Sequence, residues 1–134
     1  MRLELTGKTD LAIRALNELS SRGESNITRG EDLAAALHTT KNYLPQVMSP
    51  LIRAAWVSSA PGPNGGYTIA TRSSDITLLE VIEAVEGPAE DGQCVLTGSP
   101  CPDQGPCAMH TPWTRARESL LNELAGTPVA EVLQ

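Results

Sequence analysis

Residues 39–69, TTKNYLPQVMSPLIRAAWVSSAPGPNGGYTI, contain the pattern that decides the fold of this chain. The first half spaces its apolar residues as one face of a helix, and the second half alternates as two short strands. Between those strands, residues 61–65 are dense in proline, glycine and asparagine, which form tight turns. The segment therefore predicts a helix that leads into a β-hairpin. The apolar face of that helix consists of Leu44, Val47, Met48, Leu51 and Ile52.

Two further helices are predicted upstream of this segment. Residues 9–21 carry an apolar stripe at helical spacing, and Thr28 with Glu31 fits a capping box at the start of a short second helix. Three helices followed by a hairpin is the winged helix-turn-helix order, in which the third helix enters the major groove of double-stranded DNA. On other proteins such a polar helix face is often only solvated, but this order makes DNA contact the expectation. The expected DNA-contacting residues are Thr39, Thr40, Lys41, Asn42, Gln46 and Arg53.

Two more helices and an irregular loop are predicted downstream. Asp75 is expected to cap a fourth helix, ITLLEVIEAVE, which Gly87 ends. The loop that follows is rich in glycine and proline, which oppose regular structure. A fifth helix is expected to begin with Thr111 as its cap and Pro112 as its first residue, and to run to about Leu124.

The predicted fold class is mainly α with a small β-hairpin wing. Residues 1–72 form the winged helix-turn-helix DNA-binding region, and residues 73–134 hold the loop and the long fifth helix. The tail, residues 127–133, is expected to add one short turn or helix. At 134 residues the two regions make one compact domain.

The distribution of charge agrees with DNA binding by the first half only. The net charge is −6, but residues 1–60 hold seven Lys or Arg against six Asp or Glu, whereas residues 61–134 hold three against ten. The start, MRLELTGKTD, has neither the apolar run of a signal peptide nor that of a membrane span, so a cytoplasmic protein is expected. No nucleophile with a partner base is visible, so an enzyme is not expected.

All three cysteines lie in one short stretch, CVLTGSPCPDQGPCAMH, which runs from Cys94 to His110. Six residues separate Cys94 from Cys101, five separate Cys101 from Cys107, and His110 follows two residues later. That density of soft ligands predicts a metal centre, and a glycine- and proline-rich loop suits an iron–sulfur cluster. Zinc is the main alternative, although structural zinc sites usually show C-x₂₋₄-C pairs that are missing here. The third hypothesis is a thiol switch without a metal.

The chain resembles the Rrf2 family of winged-helix regulators, in particular its IscR-like and NsrR-like iron–sulfur members. The resemblance spans nearly the full length and rests on MRLELTGKTDLAIRAL, TTKNYLPQVMSPLIRAAWV, GPNGGYTI, DITLLEVIEAVEG and the cysteine stretch with CAMHTPW. It implies a homodimer formed through the fifth helix and a cluster held by Cys94, Cys101 and Cys107. It also implies a transcriptional regulator, repressor or activator, whose DNA affinity follows redox state, nitric oxide or iron–sulfur supply. The alternative is a zinc-stabilised or metal-free thiol-switch DNA-binding protein.

The resemblance leaves two candidates for the fourth ligand. In NsrR-like members an aspartate of helix one from the partner subunit completes a 4Fe–4S cluster, and Asp10 matches that position. In IscR-like members a histidine after the last cysteine completes a 2Fe–2S cluster, and His110 matches that one. Because the TD-x-x-x-RAL pattern is shared with NsrR-like members, Asp10 and a 4Fe–4S cluster are favoured. Without the cysteines, Asp10 would be read as a helix-start residue that pairs with Arg14.

Three prolines depart from the family pattern. Pro61 stands where many members carry an arginine that enters the minor groove, so direct minor-groove readout by this wing is not expected. Pro45 and Pro50 fall inside the predicted recognition helix, where each removes a backbone donor, so an irregular helix is expected.

Overall fold

The computed structural model describes residues 3–89, 92–101 and 107–132. Within them the order is helix, helix, helix, hairpin, helix, helix, with a 3₁₀ turn before the fourth helix and another after the fifth. The prediction of a mainly α fold with a β-hairpin wing is confirmed. The helices are α1 (Gly7–Arg22), α2 (Gly30–Ala36), α3 (Leu44–Arg53), α4 (Leu78–Glu86) and α5 (His110–Ala125). The strands are β1 (Val57–Ala60) and β2 (Gly66–Ile69), and the 3₁₀ turns are Ser73–Asp75 and Val129–Glu131.

Helix α1 lies at the centre of the core. Its apolar stripe is buried and the helix contacts α2, α3, α4 and β2. Fully buried leucine, valine and isoleucine side chains from every one of those neighbours close around the stripe, each worth about 1.5–3 kcal/mol of transfer free energy. The position of α1 is therefore fixed by packing on several sides. The buried residues of the stripe are Ala12, Ile13, Ala15, Leu16 and Leu19.

The hairpin pairs its strands antiparallel, with Val57 opposite Ile69 and Ala60 opposite Gly66. Thr28 adds a bridge to this sheet, because its backbone N–H and C=O both bond Tyr67, at 2.9 and 2.8 Å. The predicted capping box at Thr28 is therefore wrong. Helix α2 begins two residues later, and the residue before it makes no side-chain cap. Thr28 serves the wing instead of the helix.

Gly65 must remain a glycine because the turn of the wing folds tightly onto itself. A Cβ atom there would lie 2.0 Å from the carbonyl oxygen of Ala60, a backbone atom that cannot move aside alone. We expect Gly65→Ala to lower the free energy of unfolding by about 1–3 kcal/mol, as overpacking commonly does. Urea unfolding followed by circular dichroism measures this loss. Gly7→Ala is the matched control, since a Cβ at Gly7 meets nothing within 4 Å, and equal losses in both variants would contradict the prediction.

The two prolines of α3 are accommodated differently. Pro45 lies in the first turn, where the N–H it lacks would have no helical partner. Pro50 lies inside the helix and is buried, yet the helix continues to Arg53 and the N–H of Ala54 reaches the Pro50 carbonyl at 3.1 Å. Pro50 removes the bond that the carbonyl of Gln46 would otherwise accept. The packing of Pro50 in the core offsets the free-energy cost of this missing hydrogen bond.

Two predicted helix starts are shifted in the structure. Thr77, rather than Asp75, caps α4, where it forms a complete capping box with Glu80. Asp75 belongs to the preceding 3₁₀ turn. Helix α5 begins at His110 instead of after Thr111, because the N–H of Trp113 already makes a helical bond to the Met109 carbonyl at 3.0 Å.

The end of the chain folds back onto α1. The side-chain amide of Asn17 donates to the carbonyls of Val129 and Val132, at 3.1 and 3.2 Å. The predicted short turn in the tail is confirmed as Val129–Glu131, while Leu133 lies outside the described residues. The same holds for residues 102–106 of the cysteine loop, among them the loop-breaking Pro102, Gly105 and Pro106. Among the described helices, none is both long and apolar enough to cross a membrane.

Candidate metal centre and nucleic-acid interface

The three cysteine sulfurs lie together, as the sequence predicts. The Sγ of Cys107 is 3.6 Å from that of Cys94 and 3.9 Å from that of Cys101. All three sulfur atoms fall within 4.8 Å of one another. Cys94 is buried and the other two are half-buried, and none forms a disulfide. The group therefore presents three converging soft ligands at a site that solvent can reach.

A tight turn after Cys94 aims backbone groups at its sulfur. The carbonyl of Cys94 accepts from the N–H of Gly98 at 2.8 Å, and its N–H donates to the Ser99 carbonyl at 2.7 Å. Gly98 has a φ of +68°, which a glycine adopts without strain. Hydrogen bonds from the backbone N–H groups of Leu96 and Thr97 lower the pKa of Cys94 to about 6. Cys94 is thus prepared to be a thiolate, the form that binds metals.

The pKa of Cys101 is shifted in the opposite direction to that of Cys94. A backbone hydrogen bond from Cys107 lowers its pKa, but burial and the neighbouring sulfurs of Cys107 and Cys94 outweigh that bond and raise the pKa overall. The pKa values of Cys94 and Cys101 are thus shifted in opposite directions. A bound cation would supply the positive charge that three thiolates this close together require.

The two candidate fourth ligands occupy different places. His110 begins α5, and its Nδ1 is 3.7 Å from the Sγ of Cys101 in the same subunit. Asp10 lies in the first turn of α1, exposed, with its carboxylate 3.5 Å from the Arg14 guanidinium. Among the described residues, the group of potential ligands that converges contains the three cysteines and not Asp10. His110 is likewise outside this group.

The chemistry of the donor set fits a thiolate-bound metal. Around one ion with metal–sulfur bonds of about 2.3 Å, tetrahedral geometry puts neighbouring sulfurs about 3.8 Å apart. The observed sulfur–sulfur distances of 3.6 and 3.9 Å are close to this value. In a 4Fe–4S cluster each thiolate binds a different iron, so the three sulfurs would have to move apart. The turn at Gly98 belongs to an irregular segment, in which such a spread breaks no helix or strand.

The predicted DNA-contacting residues lie before α3, on it and, in the case of Arg53, at its end. Thr39, Thr40, Lys41 and Asn42 precede the helix rather than lying on it, because α3 begins at Leu44. Thr40 caps this entry, since its hydroxyl accepts from the backbone N–H of Tyr43 at 3.1 Å. Five of the six candidates are exposed and Thr39 is half-buried. The exposed ones are Thr40, Lys41, Asn42, Gln46 and Arg53.

Lys41 also lines a groove between α2 and the wing that the sequence did not predict. The other cation of this groove is Arg29, which precedes α2 and is ion-paired with Glu31 at 3.1 Å. Tyr67 of β2 forms part of the opposite wall. The sequence property that agrees with this groove is the small excess of positive charge in residues 1–60. That excess does not identify the residues that line the groove. The groove depends on the bridge between Thr28 and the wing, which has no local sequence signature.

Comparison with known proteins identifies relatives over the whole chain. The family described as "Rrf2: Iron-dependent Transcriptional regulator" matches residues 5–134. The HTH-type transcriptional regulator IscR of Klebsiella pneumoniae (strain 342) is 28% identical over 131 residues, which are 98% of this chain and 80% of that protein. The sequence-based assignment to this family is thereby confirmed.

Solved structures show the same fold. That of CymR (YrzC), the global cysteine regulator of B. subtilis, aligns with a TM-score of 0.77 at 24% identity, over 99% of this chain and 100% of that one. That of T. potens IscR aligns with a TM-score of 0.71 at 18% identity, over 98% of this chain and 93% of that one. At such identities the likeness concerns the fold alone.

Proposed function

Because this chain belongs to the Rrf2 family of transcriptional regulators, we propose that it is a homodimer whose affinity for operator DNA changes with the state of a metal centre. The chain is a DNA-binding regulator and not an enzyme, as its family is. The observation that carries the proposal is the convergence of Cys94, Cys101 and Cys107 within 4.8 Å, in the same chain as a winged helix-turn-helix. A sensor needs those two parts and a connection between them.

The centre that we propose is an iron–sulfur cluster, with 4Fe–4S favoured over 2Fe–2S. The family description, iron-dependent, supports iron. The backbone N–H groups of Leu96 and Thr97 that bond the Cys94 sulfur are of the kind that tunes a cluster's potential. When bound, such a cluster exchanges electrons, reacts with nitric oxide and is lost under oxidation or iron shortage. The residues of this chain would hold the cluster and would change the DNA-binding part when the cluster is bound or lost.

We assign the fourth ligand to Asp10 of the partner subunit, with His110 as the alternative. Asp10 is exposed on the first turn of α1, where it is accessible to a second subunit. A bond from Asp10 to the partner's centre would tie α1 of one subunit to the cysteine loop of the other. Loss of the centre would release this tie and let the two recognition helices change their spacing relative to the operator half-sites.

Helix α5 supplies the surface that we propose for the dimer. None of its sixteen residues is buried within one subunit, although Trp113, Ala116 and Leu120 lie along one side. Leu120 is 46% exposed, and Leu3 beside it is 76% exposed. A second copy would cover this apolar groove, as an unpaired amphipathic helix requires.

Zinc remains the second candidate because of a specific observation. The 3.6 and 3.9 Å separations between the sulfurs suit one ion, and His110 could complete a Cys₃His set. In that case the metal would stabilise the loop, and DNA binding would not follow iron or nitric oxide.

Anaerobic purification followed by absorbance and by iron, sulfide and zinc analysis tests the proposal. We expect a brown protein with iron and acid-labile sulfide in equal amounts. A colourless protein with one zinc per chain would establish the alternative, and a metal-free protein would refute both.

The groove of Lys41 and Arg29 is the part of the DNA surface that we propose holds a phosphate. Lys41→Ala is expected to weaken binding to all duplexes alike and to reduce the slope of log affinity against log salt by about 1. Gln46→Ala, by contrast, is expected to alter sequence preference at one position. Fluorescence anisotropy over a salt series measures both effects. Arg115→Ala is the control, because Arg115 is an exposed cation on α5, and an equal slope change there would remove the groove from the interface.

A further inference from the structure

The carboxylate of Glu86 joins two helices that are far apart in sequence. Its Oε2 accepts from the backbone N–H of Thr6 at 3.2 Å and from the Thr6 hydroxyl at 3.4 Å. It also accepts from the hydroxyl of Thr9, in a short hydrogen bond. Thr6 is the N-cap of α1 and Thr9 is fully buried. Three donors at the start of α1 thus converge on one oxygen at the end of α4.

The position of Glu86 is unfavourable for its own helix. It is the last residue of α4, where the helix dipole places partial negative charge, so a carboxylate there is destabilising. The same carboxylate is favourable at the N-terminus of α1, where the dipole is positive and N–H groups lack helical partners. Glu86 destabilises the end of its own helix and stabilises the start of α1, so its role is to hold the two helices together.

This junction lies between the metal site and the DNA-reading part. Beyond Glu86 the chain turns at Gly87 and reaches Cys94, eight positions after Glu86. Helix α4 also packs against α5, which begins three positions after Cys107. Both flanks of the cysteine loop therefore meet α4, whose last residue binds α1.

Helix α1 carries a second contact that leads toward DNA. One turn after Asp10, Arg14 donates from Nη2 to the carbonyl of Leu37 at 3.0 Å. Leu37 is the C-cap residue of α2, directly before the turn that leads to α3. A small displacement of α1 would thus be passed to the turn of the helix-turn-helix.

We propose that Glu86 is a positioning residue that couples the state of the cysteine site to helix α1, and through α1 to the DNA-reading helices. This inference rests on the proposed function, because it presumes that the site binds a metal and that DNA affinity responds. Glu86 itself binds neither metal nor DNA in this scheme. It transmits the position of the loop to α1 within one subunit.

The test compares Glu86→Gln with wild type, each metal-free and reconstituted without oxygen with ferrous iron and sulfide, or with zinc. Hydrogen exchange by mass spectrometry reads the amides of residues 7–16 and 38–46. DNA affinity is read on a duplex selected from a randomised library by loaded wild-type protein. Thr9→Val is a second variant that removes a donor and keeps the carboxylate. Glu83→Gln, an exposed glutamate one turn earlier on α4, is the matched control.

In wild type and Glu83→Gln, loading is expected to slow exchange in both segments and to change affinity at least about fivefold, a typical allosteric coupling. In Glu86→Gln and Thr9→Val, metal content is expected to stay equal while the slowing disappears and the affinity ratio falls below about twofold. If wild type responds and both variants respond equally, the role of Glu86 is refuted and the proposed function stands. If loaded wild type shows neither response, the proposed function fails, and the coupling fails with it.

Discussion

Replacing Cys107 with alanine is expected to abolish metal binding. Its sulfur lies 3.6 Å from that of Cys94 and 3.9 Å from that of Cys101, so it contacts both of the other ligands. Without it two thiols remain, and two protein ligands do not make the closed site that iron–sulfur clusters or structural zinc require. Iron, sulfide and zinc per chain are expected to fall below about a tenth of the wild-type values, since a lost ligand should cost at least the 10–100-fold of a lost outer-shell partner.

The same substitution separates the stability of the fold from that of the site. A metal bound only by the folded chain adds stability, about 4 kcal/mol when its concentration is a thousandfold above Kd. We therefore expect a chelator to lower the melting temperature of loaded wild type and to leave that of Cys107→Ala unchanged. Ser99→Ala is the control, because it removes a small exposed side chain from the same loop. Full metal content in Cys107→Ala would overturn the assignment of the site.

The sequence predicted the elements whose cause is local. The apolar periodicity of α1 and α3 and the dense turn between the strands are properties of short windows, and both appear in the structure. The capping box at Thr28 failed for a non-local reason. The backbone of Thr28 pairs with Tyr67, 39 positions away, and the first hydrogen bonds of α2 go to the carbonyl of Arg29 instead.

In the candidate site, too, the features with a local cause could be predicted and those that depend on distant residues could not. The three cysteines lie within fourteen residues of a glycine- and proline-rich loop, a local pattern that predicts their convergence. The contact between Thr9 and Glu86 spans 77 positions and joins two ordinary residue types, so no spacing rule could find it. Lys41 and Asn42 are polar residues in phase with the exposed face of α3, yet they precede the helix. The turn that precedes Leu44 is held by Thr40 instead.

The comparison of Asp10→Ala with His110→Ala is expected to identify the fourth ligand and the nuclearity of the centre together. Because the proposed fourth ligand is Asp10 of the partner subunit, its loss should speed cluster release at least about tenfold and should also end the tie between subunits. His110→Ala should leave iron near four per chain if a 4Fe–4S cluster is bound by Asp10. Absorbance during exposure to a chelator measures the release rates.

Asp10→Ala also removes the ion pair with Arg14, and that effect must be separated from ligation. The pair is exposed at 3.5 Å, so its loss should cost no more than about 1 kcal/mol of stability. Glu18→Ala removes an equivalent pair with Arg22 on the same helix, at 2.9 Å, and serves as the control. If the centre survives in Asp10→Ala and in this control but collapses in His110→Ala, the ligand set is complete within one subunit. The dimer would then sense the metal through the Glu86 junction, without a ligand crossing between subunits.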